Sequence, residues 1–250
     1  MNSQVSIIIP SKNRLDSLQT CIASIERHTD DYEIIVVDND SDESVIQWLQ
    51  GHDLYKDNTL KIIPFPGQFN YSAAINLGAR YSTAPFIAIL NNDTTVCDGW
   101  VEEAISVFCL HGNIGQVGFA IWYPDETLQS LGARLAKNGG SISNGRLRGQ
   151  DYIEQMDRMC NGILRCHYNA MGVVSRDVFE AMSGFDESYR LYCSDADFGI
   201  RLAVSGLQVV ASTYAKIYHH MDTSERDSDY NEASALLIDR WHDWLKENGS

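Results

Sequence analysis

The stretch VSIIIPSKNRLDSLQTCIASIERHTDDYEIIVVD, residues 5–38, decides the fold. Val5–Pro10 is a β-branched run closed by proline, which predicts a short buried strand. Leu15, Leu18, Ile22 and Ile25 then recur at helical spacing, which predicts an amphipathic helix from Leu15 to about Arg27. Glu33–Asp38 is a second apolar run of strand length. A polar strand would alternate; a run apolar at nearly every position is one covered on both faces.

The same alternation continues outward. A polar turn at Asn39–Glu43 leads to a short helix around Ser44–Leu49, then a strand at Leu60–Pro64, a helix around Ser72–Ala79 and a strand at Phe86–Leu90. Strand and helix in strict alternation predict an α/β fold, a mostly parallel central sheet with helices on both faces. Trp100–Leu110 reads as a helix and Gly115–Ala120 as a strand. From about Arg134 to Arg165 periodicity fades in Gly, Asn and Ser, and the stretch reads as a mobile loop or lid whose structure the sequence leaves open. Helices follow at Arg176–Met182, closed by Gly184, and at Asp195–Ser205, with Gly206 at the position after the C-cap. Two strand-like pieces, Leu207–Ala211 and Lys216–Tyr218, precede an acidic turn and a C-terminal helix around Tyr230–Lys246. No internal repeat or long linker interrupts the 250 residues, so a single domain is expected.

Composition narrows the function. A 44% hydrophobic content suits a packed core, and a net charge of −15 argues against nucleic acid or an anionic membrane surface as a partner. No window approaches the ~20 apolar residues of a membrane span. The pattern runs from Met1 straight into a strand, with no basic and apolar leader, so a cytoplasmic chain is expected. The six cysteines show no CxxC spacing and are expected to be reduced.

In open parallel sheets ligands bind at the carboxyl ends of the strands. Ser11-Lys12-Asn13-Arg14 follows the first strand, Asp38-Asn39-Asp40-Ser41 the second and Asn91-Asn92-Asp93 the fourth. Each alone is an ordinary turn composition; three on one edge point to a ligand site. There is no GxGxxG and no P-loop, so phosphates would be held another way. A divalent ion on a carboxylate at an inner strand end, with Asp93 the candidate, is the alternative, although a turn or capping role would also place an Asp there.

The order of motifs resembles the family-2 glycosyltransferases of the GT-A fold, in particular the bacterial rhamnosyltransferase-like branch. The pieces are SIIIPSKNR (Ser6–Arg14), IIVVDNDS (Ile34–Ser41), FNYSAAINLGAR (Phe69–Arg80), FIAILNNDTTV (Phe86–Val96), WYPDETLQSLG (Trp122–Gly132), GVVSRDVFEAMSGFDES (Gly172–Ser188), SDADFGIRLAVSG (Ser194–Gly206) and YHHMDTSER (Tyr218–Arg226). They run in family order over about nine-tenths of the chain.

The resemblance implies a nucleotide-donor half over about 1–98, an acceptor half over about 99–229 and a C-terminal helix over about 230–250. Pro10, Ser11 and Asn13 resemble the loop that seats base and ribose, and Asp38 the acid that hydrogen-bonds one of them. Lys12 and Arg14 would offset diphosphate charge; each alone also reads as a surface cation. Asn70 and Asn76 lie in a segment that passes the donor in similar enzymes, and equally read as turn and cap residues. Asn91-Asn92-Asp93 is similar to the Asp-x-Asp metal motif with its first acid replaced by an amide, leaving Asn92 beside the donor and Asp93 to hold Mg²⁺ or Mn²⁺.

Asp195 matches the position of the base in inverting transfer, and Asp197 would support the site. Without the resemblance, an acid in a first helical turn reads as a cap. A late histidine completes the metal site in similar enzymes; neighbours on a strand face opposite ways, so His219 is the expected ligand and His220 the second choice. Ser224 and Arg226 follow in a segment that often closes over the donor in similar enzymes, and they also read as part of a polar loop.

The implied function is an inverting transferase that moves a sugar from a UDP-sugar or dTDP-rhamnose to a carbohydrate hydroxyl, the acceptor carried on a lipid or free. O-antigen or capsule assembly is the implied setting, with a peripheral place at the inner membrane through acceptor or partners. A nucleotidyltransferase would need a Gly-rich basic loop where Ser11–Arg14 has no glycine. A catalytically inactive sugar-nucleotide-binding or scaffolding module is the alternative that the missing first acid keeps open.

Overall fold

The computed structural model describes residues 3–220 and 228–250. The first part of the chain follows the expected alternation: β1 (Val5–Ser11), α1 (Leu15–His28), β2 (Tyr32–Asp38), α2 (Glu43–Gly51), α3 (Asp53–Lys56), β3 (Leu60–Pro64), α4 (Tyr71–Tyr81), β4 (Phe86–Ile89), β5 (Thr94–Val96), α5 (Trp100–Leu110) and β6 (Ile114–Trp122). The rest comprises β7 (Leu128–Leu131), β8 (Ala133–Leu135), β9 (Ser141–Ser143), α6 (Gln150–Cys160), β10 (Ile163–Cys166), β11 (Gly172–Ser175), α7 (Arg176–Ala181), α8 (Ser194–Val204), β12 (Gln208–His219) and α9 (Ser228–Asn248).

The main sheet runs β10-β12-β6-β11-β4-β1-β2-β3, with β5 on β12 and β7 on β6. β1, β2, β3, β4, β6 and β12 share one direction, and β11 lies antiparallel between β4 and β6. Alternate residues of the inner strands feed two cores. Ile7, Ile9, Ile34 and Val36 pack with Leu18, Ile22 and Ile25 of α1 and with Trp100 of α5. Ile8, Ile35 and Val37 pack with Ile75 of α4, Phe179 of α7 and Phe198 of α8. Two covered faces explain the unbroken apolar runs of β1 and β2. A third cluster joins Leu135, Tyr189 and Ile200 to Leu237 and Leu245 of α9.

Residues 134–165, read from sequence as a loop or lid, are ordered. Strands of three residues joined through Gly139 and Gly140 are too short to show a period, and α6 buries only Ile153 fully, so its apolar stripe is thin. The two strand pieces after Gly206 form one strand, β12, whose register against β6 shifts between Ala211 and Lys216. Cys160 and Cys166 are not bridged; all six cysteines are free. Among the described residues no helix is long and apolar enough to cross a membrane.

Glu33 is set into the amino-end edge of the inner strands, at 4% exposure. It accepts from Ser6 Oγ at 2.6 Å and Thr83 Oγ1 at 2.8 Å and pairs with Lys61 Nζ at 2.7 Å. Burial alone would raise its pKa, but these donors overcome it and hold the carboxyl down at about 2, from an ordinary 4.5. The folded pKa lies below the unfolded one, so this stabilisation is present above about pH 4.5 and lost as pH falls toward 2. Glu33→Gln is expected to cost about 3 kcal/mol at pH 7 and to flatten the acid limb of the stability curve, measured by urea denaturation across pH.

Candidate functional site

The carboxyl ends of β1, β2 and β4 lie side by side, Ser11 in register with Asp38 and Ile8 with Ile89. Ser11 is buried and its Oγ accepts from Asn92 Nδ2 at 3.2 Å, tying the first strand exit to the third. Asn13 and Arg14 both take positive φ (56° each), a tight turn that swings the chain from β1 into α1. The Asn13 amide donates to Ser41 Oγ at 2.8 Å, and Asn13 Oδ1 accepts from the Asp42 amide at 2.7 Å. That couples the first exit to the second. Pro10, buried in β1 opposite Val37, sets the floor of this turn.

Asp38 ends β2 almost fully buried. Its Oδ2 accepts from the Ser41 amide at 3.3 Å, while Oδ1 has no hydrogen-bond partner among the described residues. A buried, unsatisfied carboxylate oxygen is costly and marks a place for an outside N–H or O–H donor. Asn39 behind it is spent on structure: its Nδ2 donates to the carbonyls of Phe65 (2.6 Å) and Gly67 (3.0 Å). Lys12 Nζ reaches Asn39 Oδ1 at 3.4 Å.

Asp93 faces a histidine and an arginine. Its Oδ1 lies 3.0 Å from His219 Nε2, and its Oδ2 lies 3.7 Å from Arg14 Nη1. Burial raises the Asp93 pKa, but the His219 hydrogen bond and the charges of His219 and Arg14 outweigh it and leave the carboxyl below its ordinary range. β5 pairs with the end of β12, placing His219 opposite Thr94, and the His220 amide donates to the Asp93 carbonyl at 2.9 Å. His219 is buried and His220 exposed, as strand alternation requires. Gln129 Oε1 lies 3.0 Å from His219 Nδ1 and accepts from it, which holds the ring with Nε2 toward Asp93.

An imidazole nitrogen and a carboxylate oxygen facing each other, the imidazole oriented from behind by a carbonyl oxygen, form a donor pair suited to Mg²⁺ or Mn²⁺. The remaining positions would fall to water and phosphate oxygens, since the described residues bring no third His, Cys, Asp or Glu to the pair. Asn91 stands beside the pair: its Nδ2 lies 3.2 Å from His219 Nε2, and its Oδ1 accepts from Tyr71 OH at 3.4 Å.

Tyr71 links this corner to Asp195. Burial keeps its phenol protonated, and the charges of Asp195 and Asp93 both act on it in the same direction. Asn91, Tyr71 and Asp195 line one cleft of about 600 Å³, with Phe69, Tyr168 and Tyr192 among its walls. α8 begins one residue earlier than expected, entered through Cys193 in a left-handed conformation (φ 65°), so that Asp195 falls in the first turn. Among the described residues its hydrogen bonds come from helix-start amides, Ala196 N at 2.8 Å being one. Burial outweighs them and pushes its pKa up to about 6. That is a carboxylate poised to take a proton near neutrality.

Asp197 points away. Fully buried, it binds Arg201 Nε (2.7 Å), Trp241 Nε1 (2.9 Å) and Arg240 Nη1 (3.4 Å), fastening α9 to α8. Asn70 and Asn76 stand outside the cleft. Asn70 caps α4 through the Ala73 amide (3.0 Å) and donates to the Glu187 carbonyl (2.9 Å). Asn76 spends both amide hydrogens on the Phe185 carbonyl (2.8 Å) and Glu187 Oε1 (3.0 Å), and its oxygen on the Phe185 amide. Asn70 is the helix cap that the alternative reading of these asparagines named, whereas Asn76, inside α4, is neither turn nor cap and clamps the 185–187 loop. Ser224 and Arg226 lie outside the described residues. Sequence reasoning gave no role to Tyr71 or Gln129; each sits inside a quoted motif, but only the fold shows which neighbour it touches.

The chain superposes on the crystal structure of GalNAc-T7 with UDP, GalNAc and Mn²⁺ with a TM-score of 0.79, at 13% identity, covering 97% of this chain and 50% of that one. The architecture is therefore the GT-A glycosyltransferase fold. Residues 6–182 match the model of glycosyl transferase family 2, and the chain belongs to that family. It is 31% identical over 240 residues to the uncharacterized protein y4gI of Sinorhizobium fredii, covering 92% of this chain and 26% of that protein. It is 28% identical over 261 residues to the O-antigen biosynthesis protein RfbC of Myxococcus xanthus, covering 98% of this chain and 20% of that protein. The chain thus spans about a quarter or less of the length of these two relatives.

Proposed function

We propose that the chain is a metal-dependent, inverting glycosyltransferase domain. It moves a hexosyl or rhamnosyl unit from a UDP-sugar or dTDP-rhamnose to a carbohydrate hydroxyl, in O-antigen or capsule assembly. The observation that carries this reading is that Asn91, whose side chain touches both Tyr71 OH and the His219 ring that faces Asp93, lines one cleft together with Tyr71 and Asp195. Similarity to an O-antigen biosynthesis protein supports the setting and the rhamnosyltransferase-like branch. A lipid-linked acceptor would hold the chain peripherally on the cytoplasmic side of the inner membrane.

In this reading the halves 1–98 and 99–229 supply donor and acceptor walls, and α9 braces α8 from behind. The unsatisfied Asp38 Oδ1 accepts the imide N–H that uracil and thymine share and cytosine lacks, which suits both donors. Ser11, Asn13 and Asn92 line the path from base to diphosphate, with Arg14 beside Asp93. Asp93 and His219 would hold a divalent cation, whose chemistry is charge neutralisation on the diphosphate leaving group. Asp195 accepts the proton of the acceptor hydroxyl as its oxygen bonds to the anomeric carbon. The bond from that carbon to phosphate breaks with its electron pair on the departing nucleoside diphosphate, and configuration inverts. The tyrosines and the phenylalanine that line the cleft supply aromatic surface for a sugar acceptor.

A thermal-shift titration of UDP and dTDP, each with and without Mn²⁺, tests the reading. Metal-dependent stabilisation by at least one of them is expected; a melting temperature unmoved by both, with Mn²⁺ present, would remove it.

A further inference from the structure

Eight residues along α8 from Asp195, about 12 Å at helical rise, a second pocket of about 380 Å³ opens between β8, β10, the end of α8 and the last turns of α9. Its lining includes Arg134, Arg165, His167, Gln208, Trp244 and Asn248, and no carboxylate. In a chain of net charge −15, two exposed arginines, Arg134 and Arg165, line it without an ion-pair partner among the described residues. Surface arginines in an acidic protein ordinarily find carboxylates, so a pocket that gathers two without one is a local inversion of the charge pattern.

The neighbouring groups add direction to that charge. The Leu135 amide donates to His167 Nδ1 at 2.9 Å, which puts the imidazole proton on Nε2 as a further donor. Burial, with the nearby charge of Arg134, lowers the His167 pKa and keeps the ring neutral at pH 7. Trp244 packs edge-on to His167 with ring centroids 5.2 Å apart, which fixes both rings. The carbonyls of the last turn of α8 are already bonded by the amides of residues 205–207, so they do not compete for the donors. Guanidinium forks match carboxylate or phosphate oxygens, an indole face matches the C–H face of a pyranose, and the amides of Gln208 and Asn248 match ring hydroxyls.

We propose that this pocket is a second saccharide site that binds a hexose unit bearing an anionic group, a carboxylate or a phosphate, separately from the transfer cleft. It stands whether or not the cleft performs transfer, because none of its groups belongs to the transfer machinery. A site of this kind would retain an acidic sugar of an acceptor or product chain while the cleft acts elsewhere on it.

The probes are D-glucuronate, glucose 6-phosphate, glucose and inorganic phosphate, titrated while the indole N–H signal of Trp244 is followed by NMR. Glucuronate or glucose 6-phosphate is expected to shift that signal at least tenfold more tightly than glucose or phosphate. The double variant Arg134→Gln/Arg165→Gln should lose at least tenfold in that affinity, with its melting temperature and nucleotide-dependent thermal shift unchanged. Asp195→Asn should leave the sugar titration unaltered, which separates this site from the cleft. Equal affinity for glucose, equal affinity for phosphate alone, or an undiminished titration in the double variant would each overturn the proposal.

Discussion

Asp195→Asn is expected to lower kcat by about 10²–10⁴-fold, the usual contribution of a positioned base, while UDP or dTDP affinity stays unchanged. Asparagine keeps an oxygen for the Ala196 amide, so the helix start is preserved while proton acceptance is lost. The wild-type rate should rise with pH and level off above about 6, because only the ionised Asp195 accepts a proton. The phenols facing it, Tyr71 and Tyr168, are held protonated through that range by burial and by its charge, so they do not titrate there. In the variant the limb near pH 6 should vanish.

The same substitution carries a second readout. A carboxyl whose folded pKa is raised from 3.8 to about 6 favours folding at low pH and loses that advantage as pH rises through the two values. Its charge therefore costs the folded state about 3 kcal/mol at pH 7. Asp195→Asn should raise the melting temperature at pH 7 and leave it unchanged near pH 3. An inactive but more stable variant is the mark of a residue kept for chemistry at the expense of the fold. Retained activity would remove the assignment of the base.

Asp93→Ala is expected to abolish the metal-dependent part of nucleotide stabilisation. At a ligand concentration of 100 times Kd that part would be worth about 2.7 kcal/mol in the native protein. The variant removes the carboxylate that pairs with His219 Nε2 and leaves the Asp38 side of the site intact, so metal-free nucleotide binding should persist. Transfer should fall by about 10³-fold or more, in line with the several kcal/mol of charge stabilisation a bound cation provides. An identical Mn²⁺-dependent shift in Asp93→Ala would contradict the proposed metal pair.

The sheet was legible because each inner strand is apolar at nearly every position, a pattern that burial on both faces produces. Ile7 and Ile8 go to opposite cores, and the sequence shows both. Residues 134–165 were opaque because three-residue strands have no period and α6 is polar on most of its circumference. The sequence made the three strand exits stand out because Asn, Asp and Ser crowd all of them, and in the fold they lie side by side. Asn76 shows the limit of that reasoning: the resemblance puts it in a segment that passes the donor, yet its three hydrogen bonds hold a loop over a hundred residues away. Gln129 and Tyr71 act through tertiary contacts, Gln129 on a histidine 90 positions later in the chain. No local pattern encodes such a partner. The choice of His219 over His220 followed from strand alternation, and the burial of the two rings agrees with it.

The most direct test is a crystal structure of the protein soaked with UDP and Mn²⁺, with anomalous scattering used to locate the ion. The expected result is one manganese peak bonded to the Asp93 carboxylate and His219 Nε2, the uracil imide on Asp38 Oδ1, and the Asp195 carboxylate open to the diphosphate side of the cleft. Manganese bound away from Asp93, or a diphosphate and an Asp195 carboxylate in separate cavities, would contradict the proposal that these strand ends and the start of α8 build one transfer site.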